Sequence, residues 1–119
     1  MKGLSFEEIL SPLLEAPGAI AAAFVDAQGQ SIATVGDALA LEVIGAFQPV
    51  WTSGVAGIAA HGGLGPLEDG ELAFDERRLL AAPVKEGYHL LVLLERGGVP
   101  SVARSRVGTA REQLAAEME

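Results

Sequence analysis

Residues 37–61 constrain what the rest of this chain can become. From Asp37 to His61 the spacing predicts one long helix with two apolar faces. Leu39, Val43, Phe47, Val50, Gly54 and Ile58 recur at steps of three and four and form one stripe. Leu41, Ile44, Trp51 and Val55 form a second stripe, about 100° round the helix and interrupted by Gln48. Glu42 is the single charge between Ala38 and Ala60. A helix lying on one sheet needs one apolar stripe, so the second asks for another partner. Burial on both sides within one domain would use both stripes too, but it is hard to arrange in 119 residues. A second subunit is the better reading. Leu41, Ile44, Gln48, Trp51 and Val55 are then the predicted interface, with the sole tryptophan as its anchor.

The helix carries its own punctuation. Asp37 follows Gly36 and suits an N-cap. Gly45, Gly54 and Gly57 each weaken a helix by up to about 1 kcal/mol relative to Ala, which close approach of another backbone would offset. Pro49 lacks an amide hydrogen and crowds the carbonyl of Gly45, predicting either a kink or a break into two helices. Gly62-Gly63-Leu64-Gly65-Pro66 ends the element.

Composition narrows the function classes. At 119 residues, residues 1–119 form one domain with room for a core, built mainly from Ala, Val, Leu and Ile because aromatic residues make up 5%. The chain has no cysteine, so disulfides and thiolate metal sites are excluded, and a reducing, cytoplasmic setting is expected. Met1-Lys2-Gly3 leads into an amphipathic segment and not into a signal-peptide core. The glycines, Pro49, Glu42, Gln48, Thr52 and Ser53 argue against membrane insertion of the long helix. The net charge is −8, and no basic face exists to bind nucleic acid. Arg104, Arg106 and Arg111 in the C-terminal segment read as a solvated face or as a contact for an acidic partner.

Along the chain, Ser5-Phe6-Glu7-Glu8 fits a capping box opening a helix through Ile9, Leu10, Leu13 and Leu14, with Pro12 in its first turns. Pro17-Gly18 stops it. Ala19 to Val25 reads as a strand, with Ile20, Ala22 and Phe24 on one face and Ala19, Ala21, Ala23 and Val25 on the other. Asp26 to Gly29 turns the chain into a returning strand, Ser31 to Val35. After the long helix come Glu71 to Asp75, a turn at Glu76 to Arg78, and Leu79 to Val84 with Pro83 at its end. Lys85 to Gly87 then turns into Tyr88 to Leu94. A last helix begins near Pro100, with Ala103, Val107, Ala110, Leu114 and Met118 at helical spacing. The order α-β-β-α-β-β-β-α, with short turns, predicts an α+β fold: a five-stranded antiparallel sheet between helices.

This pattern resembles the Roadblock/dynein light chain family from about Ser5 to Ala116. The likeness rests on "GAIAAAFVDAQGQSIA", the long second helix, "GELAFDERRLLAAPVKEGYHLLVLL" and the short final helix. The resemblance implies a sheet order 2-1-5-4-3, the long helix on one face and the terminal helices on the other. It implies homodimers, or heterodimers with a relative, in which long helices pair and third strands join edge to edge. That adds Glu71, Leu72, Ala73 and Phe74 to the expected interface. It also implies binding to a small Ras-like GTPase as a regulator or scaffold; bacterial gliding-motility members help activate such a GTPase.

The residues themselves point away from catalysis and from a cofactor. His61 and His89 have no second metal ligand at suitable spacing, and Ser53, His61 and Asp69 lack a nucleophile elbow to frame them. The glycines from Gly54 to Gly65 lack the Lys-Ser/Thr pair of a phosphate loop. Glu68, Asp69 and Glu71 lack the spacing of a calcium loop. A small-molecule sensor is the alternative, disfavoured by an interior of Ala, Leu and Val with few convergent polar groups.

Overall fold

The structure is a computed structural model that describes residues 3–37, 39–41, 45, 53–54, 57–58, 61–64 and 70–118. Its first helix, Phe6–Leu10, opens with the expected capping box: the Ser5 amide donates to Glu8 Oε1 at 2.9 Å and the Glu8 amide to Ser5 Oγ at 3.1 Å. Pro12 has no amide hydrogen, and the chain tightens into a 3₁₀ helix over Ser11–Glu15 instead of continuing as α-helix.

Five strands follow: β1 (Ala19–Val25), β2 (Ser31–Gly36), β3 (Gly70–Ala73), β4 (Arg77–Pro83) and β5 (His89–Glu95). They form one antiparallel sheet in the order β2-β1-β5-β4-β3, as expected. Asp26 builds the first turn, its carboxylate accepting from the amides of Gln28 and Gln30. The β4–β5 turn has positive φ at both Glu86 and Gly87, the signature of a primed hairpin turn. Arg77 and Arg78 belong to β4, so the β3–β4 turn shrinks to Asp75 and Glu76, closed by the Phe74 amide on Arg77 O at 2.8 Å.

The two faces carry separate cores. Ala22, Phe24, Leu80, Ala82, Leu90, Val92 and Leu94 pack against Ile9, Leu10 and Leu13 at the N-terminus and Ala103, Val107, Ala110 and Leu114 of the C-terminal helix (Pro100–Glu117). On the opposite face Ala21, Ala23, Val25, Leu79, Ala81, Leu91 and Leu93 surround Leu41. One strand assignment changes at its start. A bulge between Ala19 and Ala21 puts Ala19 with the terminal-helix core and Ile20 with the other, reversing the strict alternation expected there.

The bulge adjoins a backbone crossing. Gly18 has φ +83°, and a Cβ there would lie 2.4 Å from Gly98 Cα. The Gly18 carbonyl accepts from the Glu95 amide at 2.7 Å and the Pro17 carbonyl from the Val99 amide at 3.0 Å. Glycine is required here for both reasons.

Candidate interaction surface

Every described residue from 39 to 62 is helical, and Gly63, with φ +67°, ends the run. This central segment meets the sheet through Leu41, which is fully buried, and through Gly45. A Cβ on Gly45 would sit 3.2 Å from the Gly29 carbonyl oxygen and 3.3 Å from Val25 Cγ1. The expected close backbone approach therefore occurs at Gly45, over the turn after β1.

The two stripes exchange roles at the described positions. Leu41 lies in the chain's own core, not on a surface open to a partner. Leu39 and Ile58, assigned to the sheet-facing stripe, are 73% and 70% exposed. Gly54 and Gly57 are exposed, and a Cβ on either would meet nothing within 4 Å. At the described positions Leu39, Gly54 and Ile58 of the first stripe are exposed, whereas Leu41 and Gly45 are buried. Ile44, Gln48, Trp51, Val55 and the kink at Pro49 lie outside the described residues.

On the same side of the sheet, β3 forms its edge. Leu72 pairs in register with Leu79, a residue of the central-segment core, and so faces that way. Leu72 is 40% and Phe74 57% exposed. Phe74 lines an open groove of about 520 Å³ with Ala40, Leu93, the turn residues Asp75 and Glu76, and Arg77 at the start of β4. Ala73, exposed, pairs with Arg78. Glu71 faces the other way, opposite Leu80, and its carboxylate is held inside the chain by Arg78 at 3.0 Å and by Arg104 of the C-terminal helix. Arg104 thus covers the sheet edge, and Arg106 donates to the Pro12 carbonyl at 3.3 Å.

Chemistry finds little purchase on these residues. His61 is exposed and donates from Nδ1 to the Gly57 carbonyl at 3.1 Å; Ser53 is exposed on the same segment, while Asp69 lies outside the described residues. His89 is buried on β5, where desolvation pushes its pKa below 6.5 although the Gly87 carbonyl, 3.0 Å from Nδ1, favours the charged ring. Among the described residues no group of three acidic or imidazole side chains could hold a metal ion, and no helix is long and apolar enough to cross a membrane. Glu68 and Asp69 lie outside them.

No protein-family model matches this sequence, and no curated protein matches it significantly. Its backbone does match solved structures. A Roadblock/LC7 domain from Streptomyces avermitilis superposes with a TM-score of 0.86 at 17% identity, covering 98% of this chain and 98% of that one. The chain has the Roadblock fold. MglB from Myxococcus xanthus is similar at TM-score 0.85 and 16% identity, over 95% of this chain and 94% of that one. An MglB solved in a tetrameric arrangement is similar at TM-score 0.83 and 18% identity, over 98% and 91%. In this Roadblock fold Leu39 and Ile58 of the central segment and Leu72 and Phe74 at the β3 edge are large apolar side chains left exposed.

Proposed function

We propose that this chain is a dimeric scaffold that binds and regulates a small Ras-like GTPase and performs no catalysis of its own. One observation carries the reading: Leu39 and Ile58 on the outward side of the central segment and Leu72 and Phe74 on the edge strand are all exposed on one side of the sheet. Full burial of a large apolar side chain is worth about 1.5–3 kcal/mol, and a second copy would recover the part of it that each of these four partly exposed side chains forfeits. The Roadblock fold supports the same arrangement, as does the tetrameric arrangement of a structurally similar MglB. The GTPase follows from the resemblance to the Roadblock family, and GTP chemistry would belong to that partner. A ligand-sensing role has less support: the groove of about 520 Å³ at Phe74 is open to solvent and not enclosed, and the hollow between β4, β5 and the C-terminal helix measures about 10 Å³, room for one water molecule.

Size-exclusion chromatography with light scattering should give twice the chain mass, and Leu39→Asp/Ile58→Asp should give a folded monomer. A monomeric wild type at micromolar concentration would overturn the dimer. Calorimetry should show no saturable heat with GTP or ATP alone, and heat with a GTP-loaded Ras-like protein. Tight nucleotide binding by the isolated chain would overturn the scaffold.

A further inference from the structure

β3 is weakly supported for a strand that is to receive a second copy. It is four residues long, pairs with β4 alone, and has three exposed residues of four. A strand can template edge pairing only while its backbone stays extended and in register. Short edge strands with little buried surface lie at the low end of local stability.

Glu71 counters that. Its register position opposite Leu80 turns it to the terminal-helix face. There the carboxylate joins two further elements, with Oε2 accepting from Arg78 on β4 and Oε1 from Arg104 on the C-terminal helix. Arg104 is well anchored: its neighbour Ala103 is fully buried, and the helix is seated through Val107, Ala110 and Leu114. The Glu71 side chain is 21% exposed, against 39% for Arg78 and 53% for Arg104. The strand's side chains therefore divide their work, Leu72 towards the central-segment face and Glu71 towards the C-terminal helix.

We propose that Glu71 is the positioning residue of the dimer edge, holding β3 in place through Arg78 and Arg104 and tying the edge to the C-terminal helix. This rests on the reading above that β3 pairs with its copy. Glu71 does not itself face the second copy; it acts by keeping the strand formed. Partly exposed ion pairs of this kind shift an equilibrium by about 1.5- to 5-fold each, less at high salt.

Glu71→Gln keeps the shape and removes the charge. Hydrogen exchange is read in the monomeric Leu39→Asp/Ile58→Asp background, and the dimer dissociation constant in the otherwise wild-type chain. The expected result is exchange at residues 70–73 faster by about three- to tenfold with β1 and β5 unchanged, and a dissociation constant raised by a similar factor. Added salt should weaken the wild-type dimer towards the variant's level and move the variant much less. Arg104→Gln should reproduce part of each change. Unchanged exchange at β3 overturns the positioning role. Faster exchange with an unchanged dissociation constant overturns it by another route, because β3 then forms no part of the dimer.

Discussion

On the face covered by the terminal helices, Phe24, Leu80, Leu90 and Leu94 meet Ile9, Leu13, Val107 and Leu114, and large side chains fill the layer. On the other face Ala21, Ala23 and Ala81 alternate with Val25, Leu79, Leu91 and Leu93, and among the described residues of the central segment Leu41 and the bare backbone at Gly45 lie against this layer. The first layer is closed by elements from both ends of the chain. The second brings a helix close to the sheet and leaves Leu39 and Ile58 on its far side in water. The two faces thus differ at the described positions: one is closed over by the terminal helices, and the other leaves large apolar side chains exposed.

Truncating Phe24 should break the comparison most severely. Its ring is fully buried and lies 5.2 Å from that of Phe6 and 5.6 Å from that of Tyr88. Phe24→Ala should cost about 3–5 kcal/mol in urea unfolding. The effect should appear equally in the Leu39→Asp/Ile58→Asp background if, as proposed, this face takes no part in association.

Two glycines of the central segment should respond in opposite senses. Gly45→Val puts a branched side chain where a Cβ alone would already stand 3.2 Å from a carbonyl oxygen, and should cost about 1–3 kcal/mol. Gly54→Ala meets nothing within 4 Å and should stabilise the monomeric form by up to about 1 kcal/mol through helix propensity. Thermal unfolding of both variants in the monomeric background checks the pair. Equal effects would show that the two ends of the segment are packed alike.

The smallest effect is a slope with pH. His89 lies on the central-segment face, buried, with its folded pKa below the ordinary 6.5. The unfolded chain therefore takes up its proton first as pH falls, so the contribution is complete above 6.5 and declines below it towards the folded value. Chemical denaturation should show stability falling as the pH drops below 6.5, with a shallower slope for His89→Gln.

Local signals made most of the frame legible in the sequence. The Ser5–Glu8 box, the Asp26 turn and the period of Ala103, Val107, Ala110 and Leu114 each act over a few residues, and each appears as expected. What escaped depended on distant groups. Periodicity shows that the central segment has two stripes but not which one the sheet takes. The usable signal was Gly45, which comes four residues after Leu41 and lies against the Gly29 carbonyl and Val25. The exchange of faces at Ala19 and Ile20 follows from a bulge beside the Gly18–Gly98 crossing, which no local pattern announces. Glu71 entered the expected interface through the resemblance, and its ion pairs left no local signal because the two arginines come from β4 and from a helix 33 positions away in sequence.

The crossing of Gly18 with Gly98 also sets an order of events during synthesis. β1 lies inside the sheet between β2 and β5, so the early hairpin leaves the ribosome with one ladder edge empty until residue 95 has followed. At 5–20 residues per second that wait lasts on the order of ten seconds. Through that interval an alanine-rich strand with unpaired amides must remain soluble, and the hydrogen bonds at Pro17 and Gly18 close only when the last strand arrives. The nascent chain should therefore lean on chaperones more than its small size suggests, and fold as a whole in one late step.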